Sequence, residues 1–238
     1  MIENIDIGGP TMLRSASKNF KHVTVIPSPK YYEEFCNEIK KNRGSTTLEF
    51  RKKMSALTFS ETAYYDSLIS NWMIGESSIK YLDKITIPGK LKQKLRYGEN
   101  PHQQSRVFEI INNKSGFSNL SQLQGKELSH NNYLDTFNAY SLVNDFKKNS
   151  KICAIIKHNN PCGCASDLDS LTTYLNALKG DPLSAFGGVV ALNYKLSSEI
   201  AKEIIKTFYE VILIPEIDDE AKKILATKKN LRVLIYNP

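Results

Sequence analysis

Four short apolar runs, separated by stretches of helical pattern, constrain the fold of this chain more than any other feature. They cover 152–156, 189–192, 211–214 and 231–235. Each run has the length of a buried strand and is too short for a helix, whereas the stretches between them carry apolar residues near helical spacing. Strands that alternate with helices predict an α/β domain: a layered sheet with helices on both faces.

The first 75 residues carry a mainly helical pattern. It predicts helices from Gly8 through Lys18, over 31–41 and over about 47–73, and a short strand over 22–26. The segment 76–90 ends Ile-Pro-Gly, and proline with glycine is typical of a linker. The sequence therefore predicts two units, 1–75 and 91–238, joined by this linker.

In the second unit, the helices are predicted in the gaps between the apolar runs. Asn131 and Asn132 are expected to cap the first of them. The predicted helices cover about 133–148, 170–179, 197–208 and 218–227.

The formal net charge of +7 is spread along the chain rather than concentrated. Lysines occur as short doublets beside predicted helices, such as Lys147 with Lys148 and Lys228 with Lys229. A nucleic-acid binder normally carries one concentrated basic patch. The charge pattern therefore predicts no nucleic-acid partner, and it suits an anionic small substrate.

Cysteine usage and hydropathy bear on the compartment. Four cysteines in 238 residues do not form a disulfide framework. No apolar run approaches the ~20 residues that a membrane span needs. The first residues also lack the basic and apolar regions of a signal peptide. These features predict a protein of the reducing cytoplasm with no membrane partner.

The run 152–156 leads directly to Lys157 and His158, where the following Asn-Asn-Pro-Cys-Gly predicts a turn. Strand ends at loops are where α/β proteins place their chemistry. A lysine supplies a positive charge there, and histidine titrates near neutrality. Taken alone, the pair is better explained by a lysine at the end of a strand and a loop histidine without a function.

His158, Cys162 and Cys164 also raise the hypothesis of a zinc site. Zinc deaminases combine a histidine with Pro-Cys-x-x-Cys, whereas here one residue separates the cysteines and the His-x-Glu element is missing. Three ligands within seven residues do not easily surround one ion without a fourth. The pattern favours no metal, and a zinc nucleoside deaminase remains an alternative.

Two further segments have residue types that suit ligand binding. Arg96 and Tyr97 begin the turn-rich string Arg-Tyr-Gly-Glu-Asn-Pro-His-Gln. Arginine binds phosphate through two parallel hydrogen bonds, and a tyrosine can add another bond or stack on a ring. Gly187 and Gly188 precede the run 189–192, where glycine lets the backbone approach a ligand closely. Each segment alone also fits a surface pair or a structural turn.

Together with Lys-His-Asn-Asn-Pro-Cys-Gly at 157–163, these segments, in this order, resemble the formyltransferase half of the AICAR transformylase/IMP cyclohydrolase family of bifunctional purine enzymes. The resemblance implies transfer of a formyl group from the co-substrate 10-formyltetrahydrofolate to AICAR, with no metal in the chemistry. By the same resemblance, His158 is the proton acceptor and Lys157 stabilises the transition state.

The resemblance also implies the residues that bind the nucleotide substrate. It assigns substrate binding to Arg96, Tyr97 and Gly187. It further points to Glu210, which stands just before an apolar strand where animal members of the family have aspartate. The resemblance thus predicts one cleft at the strand ends that Arg96, Tyr97, Gly187 and the Lys157–His158 pair share.

The start of the chain resembles the end of the cyclohydrolase half. The strings are Asn-Ile-Asp-Ile-Gly-Gly at 4–9 and Ala-Ser-Lys-Asn at 16–19. Twelve positions separate Asp6 from Lys18, which matches the spacing in the family. The resemblance implies that Lys18 is catalytic in ring closure of FAICAR to IMP, and that Asp6 and Ile7 contact the nucleotide.

By this resemblance, 1–75 is the end of a smaller α/β cyclohydrolase domain and 91–238 is the first cytidine-deaminase-like lobe of the transformylase. Members of the family are about twice as long and build their transformylase sites across a homodimer interface. The chain is therefore expected to be an internal portion: a fragment, a split product or a decayed gene. An alternative of another class is a catalytically inactive nucleotide-binding or scaffolding partner.

Overall fold

The computed structural model describes residues 2–110, 116–146 and 150–237. The chain divides into two compact units, Met1–Lys90 and Leu91–Pro238. The last two residues of the helix predicted over 133–148 lie outside the described residues. None of the helices in the described ranges is long and apolar enough to cross a membrane.

The first unit is helical, and the three helices predicted for it are confirmed. α1 covers Gly8–Lys18, α2 covers Tyr32–Lys41 and α3 covers Leu48–Gly75. α3 begins where the Thr47 hydroxyl accepts a hydrogen bond from the Phe50 N–H, which satisfies one of the free donors of its first turn.

The strand predicted over 22–26 is wrong, because the structure assigns no strand there. The backbone carbonyls just before this segment are bound by a side chain instead of by a neighbouring strand. The Arg51 guanidinium donates to the carbonyl of Phe20 at 2.9 Å and to that of Lys21 at 3.0 Å. An apolar pentapeptide predicts a strand only when a neighbouring strand is present to pair with it.

The second unit is built on one mixed six-stranded sheet. In spatial order its strands are β3 (Ser121–Gln124), β8 (Arg232–Ile235), β7 (Val211–Ile214), β6 (Val189–Leu192), β4 (Lys151–Lys157) and β5 (Asn160–Asp167). β6, β7 and β8 are parallel, whereas β3, β4 and β5 each pair antiparallel with their neighbours. A separate two-stranded sheet pairs β1 (Gly89–Lys94) with β2 (Arg106–Ile110).

Helices cover both faces of the six-stranded sheet, which confirms the predicted fold class. α4 (His130–Asn144) packs on one face, where Ala139 and Val143 meet alternate residues of β4 such as Ala154. The other face carries α5 (Ser170–Gly180), α7 (Ser198–Ile204) and α8 (Asp219–Ala226). A four-residue helix, α6 (Pro182–Ala185), follows α5.

The start of α4 differs from the prediction. Ser129 is the N-cap, and its hydroxyl accepts from the Asn132 N–H at 3.1 Å, while the Asn132 side chain accepts from the Ser129 N–H at 3.0 Å. This reciprocal capping box satisfies two backbone donors at once. The helix therefore begins at His130 and ends at Asn144, a few residues earlier than predicted at both ends.

Candidate functional site

The Lys157–His158 segment forms the tip of a tight β-hairpin. Lys157 at the end of β4 pairs with Asn160 at the start of β5, so His158 and Asn159 alone form the loop. Their φ angles are +52° and +64°. Two consecutive positive φ values in a two-residue hairpin define a type I′ turn, whose twist matches that of the flanking strands.

This geometry corrects the turn predicted at Asn-Asn-Pro-Cys-Gly. Residues from Asn160 onward belong to β5, and the turn lies one step earlier in the chain. Proline is tolerated at Pro161 because β5 is an edge strand and the register shifts there, between the pairs Ile155–Gly163 and Ile156–Pro161.

The turn borders a small open cavity of about 290 Å³. Its lining combines an ammonium group, an imidazole, a carboxylate and a thiol. The residues are Lys157, His158, Asn160, Pro161, Cys162, Asp181 and Ser184. Lys157 and His158 thus line the same cavity.

Asp181 supplies the negative charge of this cavity. It is the N-cap of α6, and its carboxylate accepts from the Ser184 N–H at 3.0 Å. The hydrogen bonds with Ser184, and to a smaller extent the charge of Lys157, hold the pKa of Asp181 below its usual value. Partial burial raises the pKa of Cys162, which therefore stays a neutral thiol near pH 7.

The Lys157 side chain connects the hairpin to the segment that contains Gly187. Its Nζ donates to the carbonyl of Phe186 at 2.7 Å. Gly187 follows with a φ of +77°, and its N–H donates to the Phe208 carbonyl at 2.7 Å. The rings of Phe186 and Phe208 lie 5.2 Å apart. Gly187 is therefore next to the group that holds Lys157.

Glu210 is linked to the same segment, and its carboxylate is already paired. Its N–H donates to the Gly188 carbonyl at 2.9 Å. Its Oε2 forms an ion pair with the buried Arg232, whose Nε donates to the Glu127 carbonyl at 3.0 Å. Sequence reasoning missed Arg232, although an arginine inside the apolar run 231–235 signals a buried cation that needs a partner.

Arg96 and Tyr97 lie in a closed loop between β1 and β2. The Arg96 guanidinium carbon is 5.8 Å from the centroid of the Tyr97 ring. The loop is closed by a 2.8 Å hydrogen bond from the Gly98 N–H to the Gln103 carbonyl. Within the described ranges, no hydrogen bond or ion pair joins Arg96 or Tyr97 to the Lys157–His158 turn, so the single shared cleft stays a prediction.

In the first unit, Asp6 and Lys18 lie at opposite ends of α1. Asp6 accepts from the Gly9 N–H, in the first turn of the helix, at 3.0 Å, and its own N–H donates to the Tyr65 hydroxyl at 2.9 Å. Ile7 is exposed beside it, and Lys18 is exposed in the last turn. At 1.5 Å per residue, about 15 Å of helix separates the two ends. A ligand that contacted both charges would lie along the helix.

The geometry does not assemble the zinc ligands that the cysteines suggested. Directly paired residues of an antiparallel ladder lie on the same face. Cys164 pairs with Ala154 and so faces α4, whereas Cys162 packs into the cluster on the opposite face. Among the residues for which the structure gives positions, no group of three or more His, Cys, Asp or Glu side chains is placed to hold a metal ion.

Comparison with known families and proteins gives a consistent match. The family described as "AICARFT/IMPCHase bienzyme" matches residues 16–238. A protein of Rippkaea orientalis named "Bifunctional purine biosynthesis protein PurH" is 45% identical over 237 residues, 98% of this chain and 46% of that protein. A protein of the same name from Rhizobium rhizogenes is 46% identical over 98% of this chain and 44% of its own length.

The chain thus spans a little under half the length of these relatives. Among solved structures, a protein from Desulfotalea psychrophila described as a formate dehydrogenase accessory protein is similar over 72% of this chain and 70% of its own. It has 11% identity and a TM-score of 0.36.

Proposed function

This chain belongs to the AICARFT/IMPCHase bienzyme family, and from this premise we propose that its second unit acts in formyl transfer during purine biosynthesis. The donor is 10-formyltetrahydrofolate, and the acceptor is the amino group of AICAR. The observation that carries the proposal is the convergence of Lys157, His158 and the Phe186–Gly187 segment at one end of the sheet.

The chemistry assigns a separate role to each member of the pair. As the AICAR amino nitrogen attacks the formyl carbon, His158 accepts the proton that this nitrogen loses. The Lys157 ammonium has three donors, of which the Phe186 carbonyl takes one, so two can stabilise the negative oxygen of the tetrahedral intermediate. The bond to the folate nitrogen then breaks, that nitrogen takes a proton, and FAICAR and tetrahydrofolate are released.

We assign substrate binding to Arg96, Tyr97, Gly187 and Glu210, as the family resemblance implies. Arg96 binds the phosphate through its guanidinium, with Tyr97 beside it. Gly187 has no side chain, so its backbone lets the nucleotide approach closely. Glu210 uses one carboxylate oxygen for Arg232, and its other oxygen accepts a hydrogen bond from the substrate.

The first unit is proposed to contribute to ring closure of FAICAR to IMP, in which the carboxamide nitrogen attacks the formyl carbon and water is lost. Lys18 transfers protons, and Asp6 and Ile7 contact the nucleotide. In this assignment 1–75 is the end of a cyclohydrolase domain, 76–90 is the linker and 91–238 is a deaminase-like transformylase lobe.

The proposed assembly is a cytoplasmic homodimer whose partners are the nucleotides and folate, with no nucleic acid or membrane involved and no metal in the chemistry. Exposed aromatic side chains of the second unit, among them Phe108 and Phe137, support self-association. Because each transformylase site is shared between chains, we expect the isolated chain to self-associate and to be a poor enzyme. A monomer in sedimentation would contradict this expectation.

The test is a formylation assay with AICAR and 10-formyltetrahydrofolate. The chain is assayed alone and mixed with the remaining portion of the Rippkaea relative. We expect Lys157→Ala and His158→Ala to lower kcat by at least about 100-fold, because positioned catalytic groups act together. The matched controls are Lys222→Ala, on the exposed side of α8, and His22→Ala in the first unit.

The controls should retain the activity of the unsubstituted chain. Activity that is unaffected by both Lys157→Ala and His158→Ala would contradict the proposal. Nucleotide binding without any formylation, in the chain alone and in the mixture, would favour the inactive binding partner instead.

A further inference from the structure

The His158–Asn159 turn has an unusual composition for its conformation. Type I′ turns place both central residues at positive φ and therefore favour Asn-Gly, Asp-Gly or Gly-Gly. Here the first position is a histidine at +52° and the second an asparagine at +64°, with no glycine. Left-handed backbone disfavours an ordinary L-residue by about 1–2 kcal/mol. Histidine and asparagine enter this region more readily than other residues with a side chain but less readily than glycine, so contacts from outside the turn add to its stability.

Those contacts hold the peptide group between the two turn residues on both sides. The Asn159 N–H donates to Oδ1 of Asp135 at 2.7 Å. The carbonyl of the same peptide group, which belongs to His158, accepts from Nδ2 of Asn160 at 3.0 Å. Rotation of this central peptide is what converts a type I′ turn to type II′. Such a rotation would break both bonds and turn the carbonyl toward a carboxylate.

A second residue of α4 binds the side chain of the turn. Nδ2 of Asn138 donates to Oδ1 of Asn159 at 2.9 Å. Asp135 and Asn138 are three positions apart and so share one face of α4. Thr136, the residue after Asp135, is buried against the sheet, and Ala139 packs with Ala154 of β4. Core packing thus fixes the position of α4 on the sheet, and the hydrogen bonds from α4 fix the turn.

We propose that Asp135 and Asn138 are positioning residues for His158 and act by locking the type I′ turn. The proposal rests on the formyl transfer proposed above, since the benefit of a fixed His158 is a proton acceptor aligned with Lys157. A misalignment of about 1 Å in a catalytic group can lower a rate by 100-fold. In this way α4 positions His158, while the neighbouring Lys157 is held by its hydrogen bond to the Phe186 carbonyl.

The test follows His158 by NMR, which is practical because the chain has only four histidines. In Asp135→Ala, the Asn159 amide should exchange at least roughly tenfold faster with solvent, because it loses a bond to a charged acceptor. The His158 ring signals should shift or broaden. Asn138→Ala should produce a smaller change of the same kind. The matched controls are Asp145→Ala, at the C-cap of α4, and Asn131→Ala, in its first turn, and neither should change these signals.

A double variant separates the lock from general damage to the fold. Glycine adopts positive φ readily, so Asn159→Gly should restore the turn in Asp135→Ala and bring the His158 signals back. In the formylation assay, Asp135→Ala should lower kcat by roughly 10- to 100-fold with little change in KM, and the double variant should recover most of it.

Three results would overturn the proposal: unchanged Asn159 exchange in Asp135→Ala, altered exchange with undisturbed His158 signals, or altered His158 signals with unchanged kcat. If the unsubstituted chain shows no formylation even in the mixture, the proposed function fails. The NMR comparison then still decides whether α4 holds His158.

Discussion

Two segments of the candidate site both contain residues with positive φ, and they reach this conformation in different ways. The 186–188 segment reaches positive φ with a glycine, Gly187, whereas the β4–β5 hairpin uses His158 and Asn159. At Gly187 the residue itself permits the conformation. At the hairpin, hydrogen bonds from α4 impose it on residues that carry side chains. Imposed geometry lets a functional side chain occupy a position that usually goes to glycine, and it makes that side chain dependent on distant residues.

The largest effect we expect comes from the one glycine of the hairpin, Gly163. A Cβ there would lie 1.8 Å from the carbonyl oxygen of Ala177 in α5, so β5 and α5 would have to separate. Overpacking against backbone typically destabilises by 1–3 kcal/mol and sometimes more. We therefore expect Gly163→Ala to lower the free energy of unfolding by about 3 kcal/mol, measured by urea denaturation.

The control for this prediction is Gly8→Ala, since a Cβ at Gly8 has nothing within 4 Å. A Gly163→Ala variant as stable as the control would mean that the close contact between β5 and α5 is absent in solution.

An effect of intermediate size should distinguish the positive φ of Gly187 from that of Asn159. At Gly187 a new Cβ would meet only the Phe208 ring at an ordinary 3.8 Å, so the penalty is conformational. We expect Gly187→Ala to destabilise the protein by about 1–2 kcal/mol. In contrast, Asn159→Gly relieves a strained residue and loses the Asn138 bond, and its net change should stay within about 1 kcal/mol. Equal destabilisation by both substitutions in urea denaturation would remove the distinction.

The smallest effect that we expect is a loss of stability in acid, caused by protonation of Asp181, the carboxylate that caps α6. The pKa of Asp181 lies below its ordinary value of 3.8 because Ser184 donates hydrogen bonds to it. A carboxyl whose folded pKa is depressed stabilises the protein above the unfolded pKa, and this stabilisation is lost as the pH falls through the folded pKa. The urea concentration at the midpoint of unfolding should therefore decrease when the pH is lowered below about 4.

Asparagine caps helices about as well as aspartate and does not titrate. Asp181→Asn should therefore leave the free energy of unfolding at pH 7 almost unchanged. It should also weaken the loss of stability in acid. An unchanged acid dependence in this variant would show that other carboxyl groups cause it.

The buried part of the fold could be predicted from the sequence, and the edges could not. β6 and β7 are continuous apolar runs with every residue buried, so their composition alone marks them. β3 reads Ser-Gln-Leu-Gln and is largely exposed, and it forms a strand only because β8 offers a partner. The pattern predicts a turn at the start of β5 because it contains Pro161 and Gly163, whereas an edge strand tolerates both residues.

The site divides in the same way. The adjacency of Lys157 and His158 at a strand end could be predicted, because it depends only on where an apolar run stops. The roles of Asp135 and Asn138 could not, because they depend on how α4 is placed over a turn about 20 residues further along the chain. Likewise, Arg232 partners Glu210 through the parallel pairing of β7 with β8, which no local pattern encodes.

The central claim is that the hairpin, the 186–188 segment and Arg96 form one nucleotide site, and a titration with AICAR followed by NMR tests it most directly. We expect the His158 ring signals, the Gly187 amide and the Arg96 side-chain Nε–H to shift together and to fit a single dissociation constant. Shifts at Arg96 that leave His158 and Gly187 unchanged at saturation would contradict the claim.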